Sequence, residues 1–574
     1  MGCNPAPPDY PGRMTTAHPI DRLAGLSHTF GPGSAREKLQ LLEKIARLGR
    51  HTPSRLVRLH DALYFMRAYP DNDSVLRAVS SLQVSLREIV ERITDGDPEH
   101  DAFVNTGLPA TCNRHTYSYA VLERMVKLFP GCLDVDWSEI TYEPTFVDAL
   151  NLTVLPAESR GLEDEYMGLR DWLWRCKTDP TQTDLETVLR MFKGSSLSPR
   201  QRIHVFDSCE YPVVYRLSES GSARCEVGLT PASPHYQRRP FSHARFRLKS
   251  KIVRPLDGWT RLGTKDGRKM IDLSLAALCS RNLEIHPLSH ANPSDVTVAE
   301  GGRGLQIVLA GVLPEFRATV ESDFFFLILK NGLPIAYGPA SVFLGCCEMG
   351  INLFPEFRGG EIRYIYSQFM RVLYHLLGVR YFFLTSYGMG DGNPEALKSG
   401  AFWFYRKLGF RAANPEVEEL ARAEEAIMRR RRGYRSSPAT LRELSLTDAF
   451  YDLSGGTRSP VNFEHLSHAV SRFVREEFQG SRSRAGRASA SRLLRSLEIR
   501  DIDAWTPAEK TALRRMAPVF VLVPDLDGWP PGDKRSLAAA IRAKGGPSEM
   551  EYVGLVDRVG RLHDALHALT GTGR

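Results

Sequence analysis

Between Ile351 and Arg411 the residues run as strand, tight turn, helix, strand, helix, strand. A strand, a helix and a second strand at this spacing join as a crossover, so their strands should lie side by side and parallel. The two strands are expected at Cys346 to Phe354 and Tyr381 to Thr385, splaying near Phe354 and Ser386. On the first, Glu348, Gly350, Asn352 and Phe354 share a face by the alternation of strand side chains. The helix, Glu361 to Leu377, turns Ile362, Ile365, Phe369, Val372 and Leu376 inward, leaves Arg363, Gln368, Arg371 and His375 elsewhere, and meets a terminating Gly378. A glycine-rich loop, Ser386 to Gly392, follows the second strand. Asn393 then suits an N-cap and Pro394 a first helical position, with Leu397, Ala401, Phe404 and Leu408 as one buried stripe ended by Gly409.

The closing run Tyr405-Arg406-Lys407-Leu408-Gly409-Phe410 and the turn Arg358-Gly359-Gly360-Glu361-Ile362-Arg363 resemble the acyl-CoA-binding half of the GNAT superfamily of N-acetyltransferases. In that family a strand ends in an R-G-x-G-x-G/A turn and a later helix ends in Y-x-K-x-G-F. The resemblance implies acyl transfer from acetyl-CoA or another acyl-CoA to an amine, carried by a small molecule or a protein. It implies Tyr405 as the general acid for the departing thiolate. Backbone N–H groups near Asn352, Leu353 and Phe354 would hold the thioester carbonyl, and Arg358, Gly359, Gly360, Ile362 and Arg363 would cradle the phosphates. Ala401 and Tyr405 keep the family's spacing of four, whereas Asn393, the family's CoA-contacting asparagine, stands five residues early and lengthens the helix.

Two residues are read on physical grounds alone. A carboxylate at Glu348 can serve as general base for an amine, directly or through water, or sit at an exposed edge or in a structural pair. Glu361 puts a carboxylate into the first turn of its helix, where it gains from the dipole and competes with a pyrophosphate for the same N–H donors.

The 574 residues, 42% hydrophobic and 25% charged, suit a multidomain globular chain. The expected fold class is α/β in the α+β sense, a mixed central sheet flanked by helices with further helical regions at both ends. Residues 1–34 read as a loose leader and 35–95 as a helical bundle, with Leu41, Ile45 and Leu48, then Leu56, Leu59, Leu63 and Met66, then Val75, Val79, Leu82, Leu86 and Ile89 at helical spacing. Residues 96–244 are mixed, with strands expected at Ile203 to Phe206 and Tyr211 to Tyr215 and helices at Leu162 to Trp174 and Thr183 to Phe192. The sheet domain is expected over 245–412, with Asn331-Gly332 as a hairpin turn, and a mostly helical region over 413–574 with a short strand at Val519 to Val523.

No apolar run reaches the ~20 residues of a membrane span, and the first residues lack a signal-peptide pattern, so a cytoplasmic location is expected. Nine cysteines without a C-x-x-C pair argue against a disulfide framework or a cysteine zinc site, and His563 and His567 lack an identifiable third metal ligand. There is no G-x-S-x-G elbow, P-loop or G-x-G-x-x-G after a strand, which removes hydrolase and nucleotide-kinase readings. The net charge of +8 permits an anionic ligand. Arg429 to Arg432 follow a glutamate-rich helix start, and Arg482, Arg484, Arg487, Arg492 and Arg495 lie among Ser, Gly and Ala without aromatics, so a solvated linker is expected there rather than a nucleic-acid stripe. Two other readings stay open: a non-catalytic scaffold of the same fold, and an acyl or aminoacyl transferase whose donor is a carrier protein or tRNA.

Overall fold

The structure, a computed structural model, describes residues 18–48, 51–140, 144–162, 167–242 and 247–571. Most of the expected leader lies outside these. Its remainder is ordered, since Pro19–Leu26 is a helix that buries Ile20 and Leu23 against the helices Pro32–Ala46, Pro53–Ala68 and Asp73–Ile93. Leu56, Leu59, Leu63 and Met66 are fully buried in that bundle, as their spacing requires.

The next region holds a small antiparallel sheet of β1 (Cys112–Thr116), β2 (Leu133–Val135) and β3 (Pro212–Arg216), with β3 in the centre. The expected strand at Ile203 to Phe206 is instead part of the helix Pro199–Ser208. Ser198 and Gln201 form a reciprocal capping box there and Pro199 takes the first turn, signals that outweigh a short apolar run. The helix Asp184–Gly194 starts on a second such box, Thr183 with Glu186.

The main sheet contains β4 (Trp259–Arg261), β5 (Ala291–Gly302), β6 (Leu305–Val312), β7 (Ser322–Lys330), β8 (Leu333–Phe343), β9 (Cys346–Met349), β10 (Asn352–Leu353), β11 (Tyr381–Leu384), β12 (Arg411–Ala412) and β13 (Ala449–Asp452). Its order is β12-β13-β11-β9-β8-β7-β6-β5-β4, with β10 also on β8. Asn331 (φ +48°) and Gly332 (φ +79°) form the tight turn between β7 and β8. β9 and β11 are parallel, with Tyr381 opposite Cys346 and Phe383 opposite Glu348, as the crossover rule demands. The sheet does not end at 412, because β13 inserts between β11 and β12 and pairs antiparallel with both. A chain that leaves the sheet for two helices and returns to a central position gives no local signal of doing so.

Several local readings change for identifiable reasons. The expected single helix from Asn393 is two, Pro394–Ser399 and Ala401–Leu408, because Gly400 sits at φ +70° and breaks it. The glycine-rich loop contains a helical turn, Ser386–Met389. Gln368 and Arg371 are buried, since the segment around Arg254 and Pro255 covers them with carbonyls that Arg371 binds. The arginine-rich stretch is no linker but a helix, Arg482–Ser496. Val519 to Val523 lies at the end of the helix Pro507–Phe520, whose start is the capping box of Thr506 and Glu509. Among the described residues no helix is long and apolar enough to cross a membrane.

Two buried ion clusters join the regions. Glu356, in the turn after β10, meets Arg224 at 2.5 Å and Arg281 at 3.2 Å, and Arg224 also pairs with Asp61 of the N-terminal bundle. Glu549 meets Lys544 at 3.1 Å and Arg317 at 3.5 Å, while Asp295 of β5 accepts from Ser548 and from the Glu549 N–H, which ties the C-terminal helices to the sheet.

Candidate functional site: a carboxylate trough at the end of the parallel ladder

Directly opposed residues across a sheet share a face. Asp323 stands opposite Ser341, Ser341 opposite Glu348, Glu348 opposite Phe383, and Phe383 opposite Phe450, so β7, β8, β9, β11 and β13 present one row. Asn352 lies opposite Tyr337, four residues along each strand from the Glu348–Ser341 pair, which keeps Glu348 and Asn352 on that face. The β9–β11 ladder stops at Glu348 and Phe383, whereas the chain after β9 follows β8 to Leu353 and β11 turns off into Ser386–Met389. A gap in the sheet therefore opens beside Glu348, as expected from the splay.

The trough around Glu348 is acidic. Partial burial, then the charges of Asp448 and Asp323, push the Glu348 carboxyl above the usual range, against a hydrogen bond involving Thr385, while the side chain stays open to solvent. Burial, Asp323 and Glu348 push Glu321 up to about 7, with Lys544 opposing. Ser341 donates to Asp323 at 2.5 Å, and Asp448 accepts from the Ser386 N–H at 2.9 Å. Sequence reasoning found Glu348 and missed Glu321, Asp323 and Asp448. The first two sit two residues apart where β7 begins, which alternation could have flagged, and Asp448 arrives only with the inserted β13. Such a site favours a cationic guest and holds one carboxyl, Glu321, that takes up and releases a proton near neutrality.

Tyr405 lies on the other face. It is 8% exposed and packs edge-on against Tyr366 (centroids 5.6 Å), Phe404 and Phe410. Tyr366 belongs to the helix Ile362–Leu376, which covers the Cys347 side of β9, opposite Glu348. Burial raises the Tyr405 hydroxyl, and its interaction with Tyr366 works the other way. The Tyr366 oxygen is itself buried without a partner at hydrogen-bonding geometry.

The expected phosphate turn has a different wiring from the one its sequence implied. Glu361 is the N-cap residue, yet its side chain does not cap the helix. It points away to Lys330, 2.8 Å distant and fully buried, and to Arg303 at 3.4 Å. The competition expected between Glu361 and a phosphate for helix N–H groups is therefore absent. Gly359, at φ +82°, faces open space, and Arg363 is half-exposed with no ion pair among the described residues. Gly360 is closer to neighbours, with Phe241 at 4.0 Å from where a Cβ would stand. Ile362 begins the helix and is half-buried. Arg358 pairs at 2.5 Å with Glu395, both 45% exposed, an interaction of the surface kind worth at most about 1 kcal/mol.

Asn352 is exposed on β10, Leu353 is half-buried, and Phe354 is buried against Tyr337 under the Arg281 guanidinium. Asn393 is committed to capping, its Oδ1 accepting from the Ala396 N–H at 3.1 Å. His563 and His567 both set Nε2 near the Ser459 carbonyl, at 3.3 and 3.2 Å. Among the described residues no group of three His, Cys, Asp or Glu side chains is placed to hold a metal ion.

The Lys330–Glu361 contact makes a stability prediction. Replacing Glu361 by glycine leaves the buried Lys330 ammonium without a carboxylate, held by the Arg303 carbonyl at 2.7 Å and the Tyr69 ring, and removing one member of a buried pair costs about 3–5 kcal/mol. Urea unfolding should show that loss, and Glu361→Leu with Lys330→Met together should recover most of it. A loss of a few tenths of a kcal/mol would mean that Lys330 finds water or another partner.

No protein-family model, no curated protein and no solved structure matches this chain.

Proposed function

We propose that this protein transfers an acyl group from a thioester donor to a cationic amine, with Glu348 as the general base. The observation that carries the reading is the position of Glu348 at the end of the parallel β9–β11 ladder, its carboxyl raised by partial burial and by Asp448 and Asp323. An ammonium drawn into the trough loses its proton to Glu348 and becomes the nucleophile. The carbonyl carbon gains the new C–N bond and loses its C–S bond, and the thiolate leaves toward the gap. Of the backbone N–H groups expected to hold the carbonyl oxygen, that of Phe354 is already bound by the Ile335 carbonyl at 3.0 Å and that of Asn352 faces Tyr337 in the ladder, which leaves the Leu353 N–H as the donor for the oxygen as it gains charge. Tyr405, with Tyr366, is the proton donor on the far side for the departing sulfur, and the nitrogen sheds its second proton to water as the amide forms. The open Gly359 and Arg363, which has no ion pair among the described residues, support an acyl-CoA as the donor, with the pyrophosphate over the turn.

The test is release of free CoA thiol from acetyl-CoA and longer acyl-CoAs against polyamines, aminoglycosides and lysine peptides. Amine-dependent release above the background hydrolysis rate is expected. A folded preparation that releases no thiol with any acyl-CoA, and shows no CoA binding at millimolar concentration, overturns the acyl-CoA reading.

A further inference from the structure

The helix Arg482–Ser496 holds five arginines and no acidic residue. Its inner face, Ala485, Ser489, Leu493 and Ser496, is buried in the C-terminal core, and all five arginines are exposed. At 3.6 residues per turn, Arg484, Arg487, Arg492 and Arg495 fall in one outward arc spanning about 16 Å of helix. Arg482 turns instead into a groove of about 560 Å³ shared with His468, Arg472 and Arg475 of the helix Phe463–Phe478. None of the five helix arginines forms an ion pair among the described residues, though Arg475 has one with Glu476.

The other arginine run shares its helix with carboxylates: on Pro415–Arg430, Arg422 pairs with Glu418 and Arg429 with Glu425, while Arg430, Arg431 and Arg432 form no ion pair among the described residues. Arginines held on a rigid helix without carboxylates repel one another, a cost that a polyanion repays.

We infer that the Arg482–Ser496 helix and its groove dock the phosphodiester backbone of a nucleic-acid duplex without reading its sequence. The expectation against nucleic acid rested on a linker, and a helix presents its charges in a fixed row. Arginine forks bind phosphate oxygens in pairs, and the residues between them, Ser483, Gly486, Ala488 and Ser491, are small enough for close approach. About 16 Å of duplex carries roughly ten phosphate charges. The lack of exposed aromatics on this helix speaks against single strands, which stack their bases on such rings. A membrane surface is disfavoured because the apolar face that would insert is already buried. To an acidic protein partner this helix offers no aromatic anchor of the kind that dominates such interfaces.

The experiment is fluorescence anisotropy of the full chain with a random-sequence 20-base-pair duplex, as DNA and as RNA, over a salt series. Wild type should bind with a log–log salt slope steeper than about −3. The variant Arg484→Gln/Arg487→Gln/Arg492→Gln/Arg495→Gln should lose at least about 10²-fold in affinity at low salt and flatten the slope by about 3, with an unchanged melting temperature. Single Arg→Gln variants should each remove about one unit of slope, which keeps the test decisive if the quadruple variant folds poorly. DNA and RNA binding equally supports backbone docking, and a single preferred duplex form narrows it to that form. No binding to either duplex at about 50 mM salt overturns the inference. So does a slope indifferent to the substitutions, or tighter binding to phosphatidylserine vesicles or polyglutamate.

Discussion

Glu356→Ala is expected to cost about 3–5 kcal/mol of folding stability, the range found when one partner of a buried pair is removed. The Glu356 side chain has no solvent exposure and lies between Arg224 and Arg281, themselves almost enclosed. Burial opposes its ionisation, and the two guanidinium groups outweigh that, holding the carboxyl down to about 2. Arg224 keeps Asp61 when Glu356 is lost, but Arg281 keeps no carboxylate, only the Ala277 carbonyl at 2.9 Å, the Ser280 hydroxyl and the faces of Tyr64 and Phe354. The pH dependence follows from the direction of the shift. A carboxyl held lower in the folded state contributes fully above its unfolded value near 4.5 and loses the contribution as pH falls from there toward 2. A shift of that size corresponds to about 3 kcal/mol, in line with the mutational range. Urea unfolding at pH 7 should show the full deficit in the variant, and the gap to wild type should narrow as the pH drops below about 4. A deficit under about 1 kcal/mol at pH 7, or one indifferent to pH, would mean that the cluster relaxes around the lost charge.

The largest expected effect on activity is at Glu348. Glu348→Gln keeps the shape of an exposed side chain on β9 and removes its basicity, so turnover should fall by about 10²–10⁴-fold with little change in melting temperature. Only the ionised carboxylate accepts a proton, so the wild-type rate should climb as pH rises through the raised Glu348 value. Asp448 helps to raise that value through its negative charge, so Asp448→Asn should move the limb to lower pH. A Glu348→Gln variant with wild-type turnover would pass the base role to Glu321, whose value about 7 also suits it.

Much of the architecture was legible because it is written in near neighbours. The bundle helices follow from leucines at helical spacing, the β7–β8 hairpin from Asn331-Gly332, and the parallel β9–β11 pair from the length of the crossover between them. The misread elements are also local in origin. A proline with a capping box turned Ile203 to Phe206 into helix, and Gly400 divided a continuous apolar stripe.

The sequence by itself determined the strand–helix–strand crossover from β9 to β11, the face on which Glu348 and Asn352 stand, and the turn that opens the Ile362–Leu376 helix. Tertiary structure decided the rest of the site. It brought β13 and Asp448 beside β11, set Glu321 and Asp323 next to Glu348, and turned Glu361 away from its own helix toward Lys330, 31 residues distant. It also made a row of the arginines at 482 to 496 by burying the other side of their helix. Periodicity and capping act over a few residues and can be read in order along a chain. The partner of a buried charge is set by which surfaces exclude water together, and that depends on every element packed around it.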